Sequence, residues 1–172
     1  KESSAASDVY KRQIDAGLNG AKMLCRVDLD DPGTLSMMTA CAAAVDELAA
    51  GGSIAMLEPF MSSRVDGRVR NDLSADAVIK SMHIVQGLGS TSAYTWLKLP
   101  VVDEMERVMD ATTMPTLLLG GDPQTAPDET FASWERALRI PSVRGLIVGR
   151  TLLYPSDGDV TTAVDTAVNL VR

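Results

Sequence analysis

Residues 93–100 have the sequence Ala-Tyr-Thr-Trp-Leu-Lys-Leu-Pro, which is typical of a β-strand that ends at a proline. Because side chains alternate between the two faces of a strand, we expect Tyr94, Trp96 and Lys98 on one face. Lysine is a poor strand former and is rarely buried without a partner or a task. Desolvation beside two aromatic rings disfavours the ammonium form and leaves a nucleophilic amine. The alternative is a lysine at a strand end whose charge extends into water.

Strand-like and helical patterns alternate on both sides of this stretch. Strands are predicted over 21–27, 53–60, 93–99, 115–120 and 145–148. Helices are predicted over 35–50, 75–87, 104–110, 129–138 and 160–171, opened by Asp31-Pro32, Ser74, Asp103 and Asp128. Five strands that alternate with five helices predict an α/β fold with a parallel sheet and crossover helices.

The position of the polar residues favours a barrel over an open sheet. They follow the carboxyl ends of successive strands: Arg26 and Asp28, Glu58, Lys98, Gly120-Gly121-Asp122, and Gly149-Arg150. In a (βα)₈ TIM barrel that end holds the active site, with phosphate at the loops after strands 7 and 8. A dinucleotide-binding glycine motif does not follow the first strand. We therefore expect the C-terminal five βα units, strands 4–8, of an incomplete barrel over residues 14–172, and a non-native or disordered head over residues 1–13.

Composition limits the classes of partner. The chain has 172 residues and a formal net charge of −7, which disfavours nucleic acid or an anionic membrane as a partner. Cys25 and Cys41 lie in apolar patterns and are predicted to be small buried residues, and a single histidine, His83, argues against a zinc site. No stretch is long and apolar enough to suggest a membrane span, so we expect a cytoplasmic protein without a metal or other cofactor.

Three of the predicted strands carry the groups that imine chemistry needs. Lys22 and Arg26 lie on one face of the first strand, Glu58 lies in Leu57-Glu58-Pro59 on the second, and Lys98 lies on the third. An amine can attack a carbonyl, and a neighbouring carboxylate can move protons as the carbinolamine loses water.

These residues, in this order, resemble the class I aldolases of the tagatose-bisphosphate and archaeal-type fructose-bisphosphate group, with deoxyribose-phosphate aldolases as distant relatives. The resemblance extends from about residue 20 to residue 153. It implies that Lys98 is the Schiff-base lysine, Glu58 the acid/base group and Lys22 an assisting lysine. It also implies that Leu118-Leu119-Gly120-Gly121 and Val148-Gly149-Arg150 hold the substrate phosphate, with Arg26 a further substrate-binding residue. Arg26 stands where the tagatose branch tends to have tyrosine, and the family's first-strand aspartate has no counterpart in this chain.

Other interpretations of these residues stay open. Glu58 is also explained as a surface carboxylate or as a salt-bridge partner of a strand lysine. Lys22 and Arg26 are also explained as structural partners of Asp28 and Asp30. The glycines are also explained by tight turns.

Other functions stay open as well. Residues 62–70 carry three arginines and form either a solvated charged run or a mobile loop that reaches the substrate. The whole chain is also compatible with another phosphate-binding barrel enzyme, an isomerase or a decarboxylase, or with a catalytically silent piece that is inactive and poorly soluble alone. We expect a phosphorylated sugar as substrate, and a homo-oligomer is compatible with the sequence, which does not identify the sugar.

Overall fold

The computed structural model describes residue 12 and residues 15–120 and 127–172 of the chain. The chain divides into two compact units, residues 1–97 and residues 98–172. Of the predicted head, residues 1–13, all but Arg12 lies outside the described residues.

The first unit is built on parallel strands. Strand β1 is Gly20–Val27, β2 is Ile54–Val65, β3 is Arg68–Asp72, and β4 is Thr95–Leu99, of which residues 95–97 belong to this unit. β2 lies between β1 and β4 and is parallel to both, with Gly20 opposite Ile54 and Ala55 opposite Thr95. β3 returns antiparallel along residues 61–65 of β2.

Two helices cover one face of these strands. Helix α1 is Gly33–Ala50 and packs on β1 and β2, and helix α2 is Ala75–Val85 and packs on β2. Leu48 of α1, Leu57 of β2 and Met82 of α2 have no exposed surface. Burying one such side chain stabilises the fold by about 1.5–3 kcal/mol relative to exposing it, so this covered face fixes where β1 and β2 lie.

The second unit has a smaller parallel pair of strands. Strands β5, Thr116–Leu119, and β6, Val143–Ile147, are parallel neighbours. Helices α3–α6 of this unit are Met105–Asp110, Pro127–Leu138, Arg150–Leu153 and Val160–Leu170. α4 packs on β6 and on α6, and its Trp134 is 1% exposed and meets Phe131 edge to face at 5.3 Å between ring centroids.

The predicted α/β alternation is confirmed, whereas the predicted end of the second strand is wrong. The second predicted strand does not end at residue 60 but continues to Val65 and turns back as β3. The run 62–70 is therefore an exposed β-hairpin rather than a loop. Asp66 and Gly67 have φ of 50° and 73°, the left-handed conformation that a two-residue hairpin turn requires at both positions.

The predicted helix caps had mixed outcomes. Ser74 caps α2 by accepting a hydrogen bond from the Ala77 N–H at 3.3 Å, as predicted. The prediction for Asp103 was wrong, because the N-cap of α3 is Glu104, whose φ of 59° is left-handed and whose side chain makes no capping hydrogen bond. The prediction of Asp128 as an N-cap was also wrong, because Asp128 lies inside the first turn of α4, where a carboxylate is favoured by the partial positive charge of the helix N-terminus.

Candidate active site

An ion pair between β1 and β2 is the centre of the candidate site in the first unit. The parallel register puts Leu24 opposite Glu58, so Lys22, two residues earlier on β1, lies diagonally across on the same face. Lys22 Nζ lies 2.8 Å from Glu58 Oε2. The Lys22 side chain is 41% exposed, whereas the Glu58 side chain is only 11% exposed. Two of the three predicted site residues of this unit, Lys22 and Glu58, are therefore in direct contact.

This arrangement has a definite chemical capacity. A carboxylate with little exposed surface that is hydrogen-bonded to an ammonium group is held in one orientation. It can exchange a proton with a substrate group that comes within hydrogen-bond distance. The contact also fits the alternative that Glu58 serves as the salt-bridge partner of a strand lysine. The structure therefore shows the contact between Lys22 and Glu58, and the chemical role of the pair is proposed below.

Arg26 lies further along the same face of β1, opposite Phe60, and its side chain is exposed. With Arg64 of the hairpin and Thr34 it lines a cleft of about 300 Å³ at the carboxyl end of β1. Arg64 Nε lies 3.7 Å from Asp31 Oδ2, which links the hairpin to the loop before α1. The hairpin side of this cleft was not predicted from the sequence, although an Asp-Gly pair between alternating residues is a strong hairpin signal.

Lys98 is the first residue of the second unit. It lies on β4 between Leu97 and Leu99, which have no exposed surface, and is itself half-buried. The strand predicted around it is confirmed, although it begins at Thr95, so Tyr94 lies just before it and is 41% exposed.

The glycine loops that follow β5 and β6 meet within the second unit. The Gly120 carbonyl accepts a hydrogen bond from Thr151 Oγ1 at 2.9 Å. A Cβ at Gly120 would lie 2.8 Å from Val148 Cγ1, so close packing of the two loops requires glycine there. Gly149 has open space around it, and Arg150 after it is exposed and starts α5. The predicted Gly121 lies outside the described residues.

Metal sites and membrane-spanning helices are both absent from the part of the chain that the structure describes. Residues 12, 15–120 and 127–172 contain no group of three or more histidine, cysteine, aspartate or glutamate side chains arranged to hold a metal ion. Among the helices of those same residues, none combines the length and the apolar character needed to span a bilayer.

The fold is similar to that of known aldolases. The chain matches an archaeal fructose 1,6-bisphosphate aldolase at 14% identity with a TM-score of 0.73, covering 94% of this chain and 61% of the other. It matches a dihydrodipicolinate synthase from Agrobacterium tumefaciens at 16% identity with a TM-score of 0.57, covering 97% of this chain and 54% of the other. The chain therefore has an α/β fold with parallel strands that resembles TIM-barrel aldolases.

The family match is more specific than the similarity of fold. A model of the Cgl0159-like family matches residues 5–168, and the chain belongs to this family. It is similar to the crystal structure of Cgl0159 from Corynebacterium glutamicum, with 61% identity and a TM-score of 0.91. That match covers 94% of this chain and 54% of Cgl0159, so the chain spans about half the length of this relative. No curated protein sequence matches the chain.

Proposed function

We propose that the protein is a class I aldolase that cleaves or forms a carbon–carbon bond in a phosphorylated sugar through a Schiff base on Lys98. The Lys22–Glu58 pair carries the proposal, because it holds in one orientation a carboxylate with little exposed surface, the acid/base group that imine chemistry needs. The similarity to aldolase folds supports it. One of the similar solved structures is a Schiff-base-forming fructose-1,6-bisphosphate aldolase, at 16% identity and with a TM-score of 0.73.

The proposed reaction has three steps. The Lys98 amine adds to the substrate carbonyl, and a proton moves from the nitrogen to the new alkoxide. Glu58, after taking up a proton from solvent, donates it to the departing hydroxyl, so that water leaves and a protonated imine forms. The protonated imine then accepts the electron pair of the breaking carbon–carbon bond and becomes an enamine, while the Glu58 carboxylate takes the hydroxyl proton of the other fragment, which leaves as an aldehyde. Protonation of the enamine and addition of water release the second product and restore the Lys98 amine. Lys22 holds the Glu58 carboxylate in place during these proton transfers.

Substrate binding is assigned to cations and backbone amides. We propose that the N–H groups around Gly120, Gly121 and Gly149, with Arg150, bind the substrate phosphate, as amides in glycine loops commonly do. Arg26 binds another polar group of the sugar. In this proposal the five βα units correspond to strands 4–8 of a TIM barrel, and the enzyme is cytoplasmic.

Borohydride trapping tests the proposal, because reduction of an imine leaves a stable secondary amine on the lysine. The chain has five lysines, Lys1, Lys11, Lys22, Lys80 and Lys98, so peptide mapping can assign the adduct. The full-length protein is incubated with fructose 1,6-bisphosphate or deoxyribose phosphate, reduced and digested with trypsin. An adduct on Lys98 blocks cleavage there and yields the peptide 81–107.

The matched controls are Lys98→Ala and Lys80→Ala, since Lys80 is an exposed lysine on α2. We expect trapping and turnover to be lost in the first variant and unchanged in the second. Trapping at Lys22, or turnover that survives Lys98→Ala, contradicts the assignment. Turnover without any trapped adduct favours an isomerase or decarboxylase in which Lys98 acts as a base or a charge.

A further inference from the structure

Two thiols meet on the covered side of β1, behind the face that carries the Lys22–Glu58 pair. Cys25 of β1 and Cys41 of α1 are separated by only 3.5 Å between their Sγ atoms, and both are free thiols. Cys25 has no exposed surface, and Cys41 is 6% exposed. The sequence prediction that both are small buried residues is confirmed, but packing alone does not require two thiols to face each other.

We propose that Cys25 and Cys41 form a modification site, a dithiol that a hydroperoxide oxidises reversibly to a disulfide between β1 and α1. The separation needs to fall from 3.5 Å to the ~2.0 Å of a disulfide, and the two cysteines belong to elements that already pack on each other.

The two sulfurs are not equivalent, and this defines the order of events. The hydrogen bond with Cys41 and burial raise the pKa of Cys25, while the hydrogen bond from Cys25 lowers the pKa of Cys41. Of the two thiols, Cys41 is therefore the one that loses its proton more readily. Cys41 also retains some exposed surface whereas Cys25 has none, so Cys41 is the sulfur that meets the oxidant.

The reaction balances with one peroxide for each pair of thiols. The Cys41 thiol loses its proton, and its sulfur attacks a peroxide oxygen. The O–O bond breaks, Cys41 becomes a sulfenic acid, and the leaving hydroxide takes up that proton as water. The Cys25 sulfur then attacks the Cys41 sulfur, forms the S–S bond and displaces a second water. Two electrons pass from the two thiols to the peroxide, and a thiol reductant reverses the change.

Peptide mapping of the folded protein tests this inference. Protein treated with hydrogen peroxide is quenched with catalase, denatured in N-ethylmaleimide and digested with trypsin. Cleavage after Lys22, Arg26 and Arg64 separates the thiols into peptides 23–26 and 27–64. We expect these peptides to be joined within one chain, with two hydrogens lost and both maleimide adducts absent. Oxidation of methionine adds oxygen instead and is distinguished by mass.

Two variants test the assigned order. In Cys25→Ala we expect a sulfenic acid on Cys41 that dimedone traps, and in Cys41→Ala we expect roughly tenfold less dimedone adduct on Cys25. If either variant fails to fold, wild-type protein is oxidised both folded and unfolded in urea. We expect Cys25 and Cys41 to be linked more slowly in urea, because the native contact between them is lost. Two maleimide adducts on oxidised native protein, linkage between chains only, or equal linkage rates in folded and unfolded protein overturn the inference.

Discussion

The two faces of β1 have opposite characters although they alternate residue by residue along one strand. Met23, Cys25 and Val27 lie under the helices and are at most 5% exposed. Lys22, Leu24 and Arg26 lie on the other face and are exposed, and Lys22 reaches across to Glu58. Burial on one face fixes the position of the backbone, which leaves the other face available for charged groups. The buried residues of β1 therefore stabilise the fold, and its exposed residues are free to serve the candidate site.

The largest effect is expected from the covered face. Met23→Ala removes a side chain that is 5% exposed, and the cavity and lost contacts should destabilise the protein by about 2–5 kcal/mol. The matched variant is Leu24→Ala at the next position, whose side chain is 37% exposed. It should cost less than about 1 kcal/mol. Urea unfolding with unchanged m-values measures both, and equal losses at the two positions would show that the faces do not differ as described.

The next effect concerns the pair on the open face. Lys22→Met removes the ammonium group from a Glu58 carboxylate that is nearly buried, and we expect a loss of about 1–3 kcal/mol. A double-mutant cycle with Glu58→Gln should give a coupling energy of about 0.5–3 kcal/mol. Urea unfolding of the four proteins provides the measurement.

An exposed ion pair of the same length is the control for that cycle. Arg139 and Glu135 on α4 also lie 2.8 Å apart, but their side chains are 73% and 53% exposed. Their coupling should be only about 0.3–0.5 kcal/mol, because water screens them. Equal coupling energies for the two pairs would contradict the claim that burial of Glu58 strengthens its interaction with Lys22.

Alternation explains why much of the site could be predicted. Lys22 lies opposite Met56, and Glu58 lies two residues after Met56 on β2. Because alternate residues of a strand share a face, Lys22 and Glu58 lie on the same face of the two strands. The exact contact could not be predicted, because the register that sets Leu24 opposite Glu58 depends on how both strands pack under α1. The same limit applies to Cys25 and Cys41, whose contact depends on the rotation of α1.

Local chemistry explains the errors. Pro59 and the polar pair Ser62-Ser63 interrupt the strand pattern, so the strand was predicted to end at residue 60. In the structure β2 continues to Val65, beyond its buried part. The α3 cap was predicted from the preference of aspartate for N-caps, but the chain enters that helix through a left-handed Glu104. Both errors lie at element ends, where tertiary packing rather than side-chain pattern decides the boundary.

The smallest effect is expected where the open face continues into the hairpin, beyond the helices. Arg64→Ala removes the 3.7 Å ion pair with Asp31, and because the Arg64 side chain is 60% exposed we expect a loss of about 0.2–1 kcal/mol that shrinks at high salt. Arg70→Ala, at an exposed position opposite Ser63 in the same hairpin, should change stability less and without that salt dependence. Urea unfolding in low and high salt distinguishes the two. A loss for Arg64→Ala as large as that for Met23→Ala would mean that the hairpin, and not the covered face alone, holds β1 and β2 in position.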